Sequence, residues 1–468
     1  MVDEKRRLTR QERRQRQKRL EQALRRRREN GAPGAVADEG SPTSGTAPDA
    51  EASSTADPGH SRGREITAAD VTGLKYFEQL APLLERLHEV GCERDKADNR
   101  DLHYDQLCLL LLLGLFNPVV DSLRGLQQAS ELELVQERLQ LGRASLGSLS
   151  EASRVFDAER LKAIIEELGG QLQPLARDPR LKDIRKTLTL VDGTLVSALP
   201  LLVQAMGLKA QTGSGLVKWR LHTHFEVARF VPTRMDVTPD GGGEHDERAV
   251  LERTLEEDRL YVMDRGYAKF ALFNRIVAKN SSYVCRLRDN SAPQVLEERP
   301  LSEEARAAGV LSDQIVQFAN GKAEDRPDHR LRYVCVVCSR HTSRGKYRGG
   351  STGPGSDGVL RIATNLLDVP AEIISLIYRF RWTIELFFRF FKQILGCRKF
   401  YFRSQNGITL QTYCAIIACM LLCLWTGRKP TKRTYEMVCY YFLGLASEAE
   451  LLAHLDKLKQ RDALQSHT

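Results

Sequence analysis

The chain has 468 residues, room for two or three domains, and a formal net charge of +9 from 70 Lys and Arg against 61 Asp and Glu, which points to a polyanionic partner. The charge is uneven: residues 1–28 hold 13 basic against 4 acidic side chains and residues 29–70 hold 2 against 8, leaving the body from residue 71 at +6. Ten scattered cysteines with no secretory signal ahead of them exclude a disulfide-stapled extracellular domain and read as reduced thiols of a cytoplasmic protein.

In chain order, residues 1–66 read as a basic arm followed by a disordered linker. Residues 1–28 contain good helix formers but no adequate apolar face, and residues 30–63 are rich in Gly, Ala, Pro, Ser, Thr and Asp. Residues 67–180 read as an α-helical domain, with apolar residues at helical spacing in segments such as DQLCLLLLLGLF and AERLKAIIEEL. Within it, SLGSLSEASRVF carries a capping-box pattern at Ser148–Glu151 and presents Ser150, Ser153 and Arg154 on a short helix. Such a helix suits contact with phosphate or a nucleic-acid groove, or is an ordinary capped helix of a bundle.

From residue 181 to 281 the periodicity changes to strand, strand, strand, helix, strand, helix, an α/β layout. TLTLVDGTLVSAL predicts a strand ending in a turn at Asp192–Gly193, and RLYVMDRGY predicts a short strand ending at Asp264. Residues 282–366 contain four strand-like stretches and a basic, Gly-rich segment, and read as a β-rich insertion. In LRYVCVVC, Cys335 and Cys338 fall on opposite faces of a strand, which argues against a metal or redox site. Residues 367–404 predict one long helix over Asp368–Lys399, with Pro370 and Glu372 in its first turn and Gly396 as its stop. Residues 405–468 read as C-terminal helices. Their apolar run Ile408–Trp425 approaches bilayer-spanning length, but Thr409, Gln411 and Thr412 favour a buried core helix and no membrane.

The predicted long helix is apolar nearly all round, and so buried, yet Tyr378, Arg381, Glu385 and Lys392 recur at steps of three, four and seven. They share one narrow stripe, which is either an internal ion-pair network or a functional face. Asp192 and Asp264, each after an apolar strand, could converge with Glu385 only around a divalent cation, because their charges repel. All-oxygen ligands suit Mg²⁺, or Mn²⁺, and two such ions serve phosphoryl transfer.

VDGT, then MDRGY, then Y-x2-R-x3-E-x6-K resembles the signature of DDE transposases of bacterial insertion sequences, specifically the insertion sequence four family. Tyr378, Arg381, Glu385 and Lys392 match its Tyr-Arg-Glu-Lys spacing at every position, and the likeness covers residues 70–445. The resemblance implies a multidomain chain with an RNase H-like catalytic core interrupted by the β-rich insertion. It implies that Asp192, Asp264 and Glu385 are catalytic and ligate two Mg²⁺, activating water to cut the transposon end and release a 3′-hydroxyl that attacks target DNA. Tyr378, Arg381 and Lys392 would bind phosphates of double-stranded DNA, with Arg389, Arg265, Tyr267 and Arg154 as further contacts. His222, His224 and His245 read as incidental rather than as proton-transfer groups. The helical domain 67–180 would bind terminal inverted repeats, and a homodimer would pair two ends. A silent repeat-binding regulator and a metal nuclease without strand transfer are the competing readings.

Overall fold

The computed structural model describes residues 77–78, 80–88, 90, 101–174, 178–197, 218–289, 291, 293–318, 326–338, 357–394, 400–402 and 404–466. The chain divides into two compact units, residues 1–62 and 63–468, and every described residue belongs to the second. The basic arm, the linker, most of the Gly-rich segment before residue 357 and the expected stop at Gly396 lie outside the described residues.

The first described elements are helices: α1 (Ala81–Glu85), α2 (Tyr104–Phe116), α3 (Leu123–Ser130), α4 (Glu133–Leu139), α5 (Leu146–Val155) and α6 (Leu161–Gln171). Leu107 to Leu112 of α2 are all buried, as a helix without a polar face must be. α5 starts one turn earlier than the capping-box pattern predicts. Ser145 is its N-cap, accepting a 3.0 Å hydrogen bond from the Ser148 amide, because that serine rather than Ser148 has the extended backbone of a cap.

The middle of the chain builds β1 (Thr187–Ser197), β2 (Lys218–Glu226), β3 (Val231–Pro239), α7 (Glu247–Arg253), β4 (Arg259–Met263), α8 (Phe270–Ala278) and β5 (Ser282–Arg286). It continues with β6 (Gln294–Glu298), α9 (Glu303–Ala307), β7 (Val310–Gln317), β8 (Leu331–Val337) and β9 (Val359–Thr364). All nine strands form one sheet in the order β3-β2-β1-β4-β5-β9-β8-β7-β6. β4 pairs parallel to β1, and β5 parallel to β4, across connections that contain α7 and α8. Every other pairing is antiparallel. The strands of residues 282–366 therefore extend the sheet, with β5 its central parallel strand and β6 an element the sequence pattern does not reveal. The side chains of β6 are all exposed, Val295 and Leu296 included, so no apolar–polar alternation marks it.

The expected turn at Asp192–Gly193 does not form. β1 runs straight through it, because β2 pairs along the whole length from Thr189↔Glu226 to Ser197↔Lys218. Ladder bonding over nine residue pairs outweighs the local Asp-Gly preference.

The central strands are buried on both faces. Leu190, Leu260, Val262 and Val284 join the larger core, while Val191, Tyr261, Met263, Tyr283 and Cys285 join a second core with Leu251, Leu272 and Phe273 from α7 and α8. Period-two alternation thus assigns each residue of β1 and β4 to one of two helical layers.

The larger core is completed by α10 (Ala371–Arg379), α11 (Arg381–Ile394), α12 (Gln405–Thr426), α13 (Lys432–Phe442) and α14 (Glu448–Ser466). α12 is long and apolar enough to cross a bilayer, but 94% of its apolar window is buried inside the fold, between α2, α5, α6 and β3. It is the core helix the sequence predicts. The helix expected over Asp368–Lys399 is two helices. The backbone steps at Phe380, whose amide bonds to the Ile377 carbonyl at 3.2 Å while the Thr383 amide bonds to the Phe380 carbonyl at 2.8 Å. These tighter three-residue bonds interrupt the α-helical ladder there.

Candidate active site

Asp192 and Asp264 occupy matching places on neighbouring strands. The last β1–β4 pair is Val191↔Met263, and each aspartate is the next residue along. The direction in which strands are added to the sheet also reverses here, since β2 and β3 lie on one side of β1 and β4 and β5 lie on the other. In open α/β sheets a crevice opens beyond the strand ends at such a switch point. Alternation places Asp192 with Leu190, on the face covered by α11.

Local hydrogen bonds hold both carboxylates. Asp192 Oδ1 accepts from the Gly193 amide at 2.8 Å, and Asp264 Oδ1 caps the turn Arg265–Tyr267 by accepting from the Gly266 amide at 2.7 Å. Burial pushes the Asp192 carboxyl up to about 7, and the negative charge of Asp264 adds to that rise. Arg381 opposes it, its Nη1 lying 3.8 Å from Asp192 Oδ2.

Arg381 opens α11 and also bonds Glu385 one turn later through Nη2. The guanidinium thus lies between Asp192 and Glu385, so the helix carboxylate is brought within one arginine of the strand carboxylate. Among the described residues no three His, Cys, Asp or Glu side chains lie close enough together to hold a metal ion, and Glu385 meets Arg381 rather than the two aspartates. The donor chemistry nevertheless fits a hard divalent cation. The ligands are oxygens only, and the Asp192–Asp264 repulsion is what such a cation relieves.

The other expected contact residues divide. Tyr378, near the end of α10, is 8% exposed, with its hydroxyl pushed up to about 12 by burial and held back by Arg381 and Arg286. Lys392 is half-buried in the last turn of α11, and Arg389 is exposed on the same helix. Arg265 lines a cavity of about 480 Å³ with Gly266, Arg288 and Asp289. Arg154 is exposed on α5, whereas Ser153 is buried and bonded to Ser404 at 3.2 Å. Tyr267 is 1% exposed, enclosed at the end of the turn that Asp264 caps.

The contacts of the histidines lie away from Asp192, Asp264 and Glu385. His222 is buried with Nε2 2.8 Å from Thr238 Oγ1, and His224 is buried with Nε2 3.2 Å from Thr254 Oγ1. His245 is half-buried beside Glu244, at 3.7 Å. Sequence reading missed Glu247, whose charge bears on Asp192, and Arg220, which holds Glu247 and donates to Asp240 at 2.8 Å. The available signal was a carboxylate at the first position of a helix after a glycine loop, GGGEHDE.

The family model for the transposase DDE domain matches residues 184–421, just over half of the chain. The chain belongs to the DDE transposase family. The transposase is 26% identical over 273 residues to a protein named as transposase y4zB in Sinorhizobium fredii, covering 57% of this chain and 68% of that one. It is 27% identical over 216 residues to a protein named as the transposase for insertion sequence element IS5377 of Geobacillus stearothermophilus, covering 46% of this chain and 51%, about half, of that relative. A protein named as the transposase for insertion sequence element IS4SA of Synechocystis is 24% identical over 293 residues, covering 59% of this chain and 70% of that one. The matched span contains β1, β4 and α11, so the DDE transposase carries Asp192, Asp264 and Glu385 within its family domain.

Proposed function

We propose that this DDE transposase acts on the ends of an insertion sequence of the insertion sequence four family, cutting at terminal inverted repeats and joining the freed ends to target DNA. One observation carries the reading: two aspartates stand side by side at the switch point of the sheet, with the Glu385 helix packed on β1 and tied to Asp192 through Arg381. The strand order β3-β2-β1-β4-β5 supports an RNase H-like core, and β6 to β9 supply its insertion.

Asp192, Asp264 and Glu385 would hold two Mg²⁺ or Mn²⁺ ions, which supply Lewis-acid stabilisation of the oxygens that attack and leave phosphorus. The chain's own groups do the rest. Arg381, which spans two carboxylates, moves to a DNA phosphate when the strand end arrives, because a bidentate phosphate contact matches its planar fork. Lys392 and Arg389 continue that cationic track along α11, and Arg265 extends it on the β4 side. Tyr378 is buried beside Arg381 and fixes its direction. Once a strand is cut, its 3′-hydroxyl attacks a target phosphodiester, one P–O bond forming as another breaks. The helices of residues 67–180, with Arg154 exposed on α5, bind the repeats, and residues 181–281, 282–366 and 367–404 divide the catalytic region. Two copies pair the two ends, in the cytoplasm on the nucleoid.

A supercoiled plasmid carrying the element's ends, incubated with the protein and Mg²⁺, tests this. End-specific breaks with joined products are expected. Breaks without joining would indicate a nuclease, and neither product would indicate a silent repeat-binding protein. Asp192→Asn, Asp264→Asn and Glu385→Gln should each lower cleavage by about 1,000-fold or more, since several kcal/mol of charge stabilisation is lost. Full cleavage by all three variants would refute the assignment.

A further inference from the structure

Glu247 is the first residue of α7 and packs against both motif glycines. A Cβ on Gly193 would collide with its carboxylate. A Cβ on Gly266 would stand 2.9 Å from Asp264 Oδ1 and 3.8 Å from Glu247 Oε2, so these two oxygens flank one point. Gly193 follows Asp192, and Gly266 donates its amide to the Asp264 carboxylate. The glycines of VDGT and MDRGY thus clear the space through which a third carboxylate reaches the aspartate pair. Gly193 faces the α7 side of the sheet and Asp192 the α11 side, so Glu247 approaches the pair from the opposite face, past a glycine with no side chain to block it.

A second observation points to a ligand here. The Tyr267 hydroxyl is fully buried and has no hydrogen-bond partner, and the charges that bear on it most are those of Glu247, Asp192 and Asp264. A buried hydroxyl left without a partner is destabilising, because it has given up water and gained nothing in return. As they stand the three carboxylates do not form a group able to hold an ion; a hydrated cation that drew them together would give that hydroxyl a water to bond. Arg220 also stands to Glu247 as Arg381 stands to Glu385: each carboxylate near the aspartates has one guanidinium on it. A divalent cation competes with that guanidinium for the carboxylate.

We infer that Glu247 is a fourth carboxylate of the active site, binding a divalent cation together with Asp192 and Asp264, and that Arg220 is its competing partner. This rests on the reading of the aspartate pair as a cation site. Nothing in the Asp-Asp-Glu signature requires it, since Glu247 lies outside all three motifs.

The test is Mn²⁺ binding by titration calorimetry on the full chain without DNA, alongside thermal melting. Glu247→Gln keeps size and the Arg220 contact surface, and should weaken Mn²⁺ binding about 10-fold or more. Arg220→Gln should tighten it, an effect of opposite sign that a purely structural ion pair would not produce. Wild-type Mn²⁺ affinity in Glu247→Gln, with binding abolished in Asp192→Asn, would overturn the role of Glu247 and leave the aspartate site standing. Wild-type affinity in Asp192→Asn would instead remove the site on which the inference rests. If Glu247→Gln fails to melt cooperatively, Arg220→Gln decides: tighter binding upholds the inference, and unchanged or weaker binding overturns it.

Discussion

Arg381 shows how far a residue's role depends on what stands beside it. In the sequence it is one member of a polar stripe. In the fold it is the counter-charge of Asp192 and Glu385. Arg381→Met removes the cation that opposes the rise of the Asp192 carboxyl, so that group should titrate above its present value of about 7, as read by carbon-13 NMR of labelled Asp without metal. An unchanged titration would show that Arg381 does not face Asp192. His222 and His224 make a different prediction. Burial holds both down to about 4, from an ordinary value of 6.5. Their unfolded forms therefore bind protons first as pH falls. The stability they confer is complete above pH 6.5 and is lost as pH drops from 6.5 towards 4, on the order of 3 kcal/mol for each. Urea unfolding across that range should show the loss, and His222→Gln should flatten it. The buried sites of both rings were not legible in KWRLHTHFEV, because alternation does not say which strand faces are covered.

At the scale of elements, the start of α10 depends on a buried ion pair. Arg332 on β8 is 1% exposed and donates to both Asp313 oxygens, at 2.8 and 2.7 Å, and to the Leu366 carbonyl at 2.9 Å and that of Val369. The added strands β7 and β8 are thereby fastened to the turn that launches the helix pair bearing Tyr378, Arg381 and Glu385. Arg332→Ala leaves Asp313 buried with only the Arg299 guanidinium, 4.0 Å away, to face it, and should cost up to about 3–5 kcal/mol in chemical denaturation. It should also lower cleavage although Arg332 touches no site residue. Equal activity at temperatures where the variant is fully folded would show that the insertion does not position the helix. Strand content was legible in the sequence here, and connection was not. SYVCRLR, LRYVCVVC and VLRIATNL were recognisable as strands. That they continue the catalytic sheet is a long-range pairing, which no local pattern encodes. The break at Phe380 was invisible for a related reason: the apolar pattern carries on through it, while the two segments pack on different neighbours, α10 on β5, β7 and β8 and α11 on β1 and α12.

At the scale of the whole molecule, charge and core are separate matters. The 13 basic residues of positions 1–28 lie outside the described residues, and their sequence offers no adequate apolar face to pack. Deleting residues 1–28 should leave the unfolding midpoint of the remaining chain unchanged. It should make DNA affinity less salt-sensitive, by about 0.9 in the slope of log K against log salt for each phosphate that the arm neutralises. An unchanged slope in a filter-binding series would show that the arm does not touch DNA. The folded unit is instead organised by α12, whose burial on all sides ties the N-terminal helices to β3 and the sheet.

The sequence by itself determined the chemistry: which carboxylates and cations stand at fixed spacing, that α12 is a core helix, and that the chain carries a DDE transposase signature. These are local facts, set by residue type and periodicity. Only the tertiary structure decided that Asp192 sits in mid-strand, that Arg381 is turned inward, and that Tyr267, His222 and His224 are buried. It alone brought Glu247, distant in sequence from both Asp192 and Glu385, to the same site. Strand order and helix packing are set by contacts between distant segments, and those contacts decide which charges share a low-dielectric space.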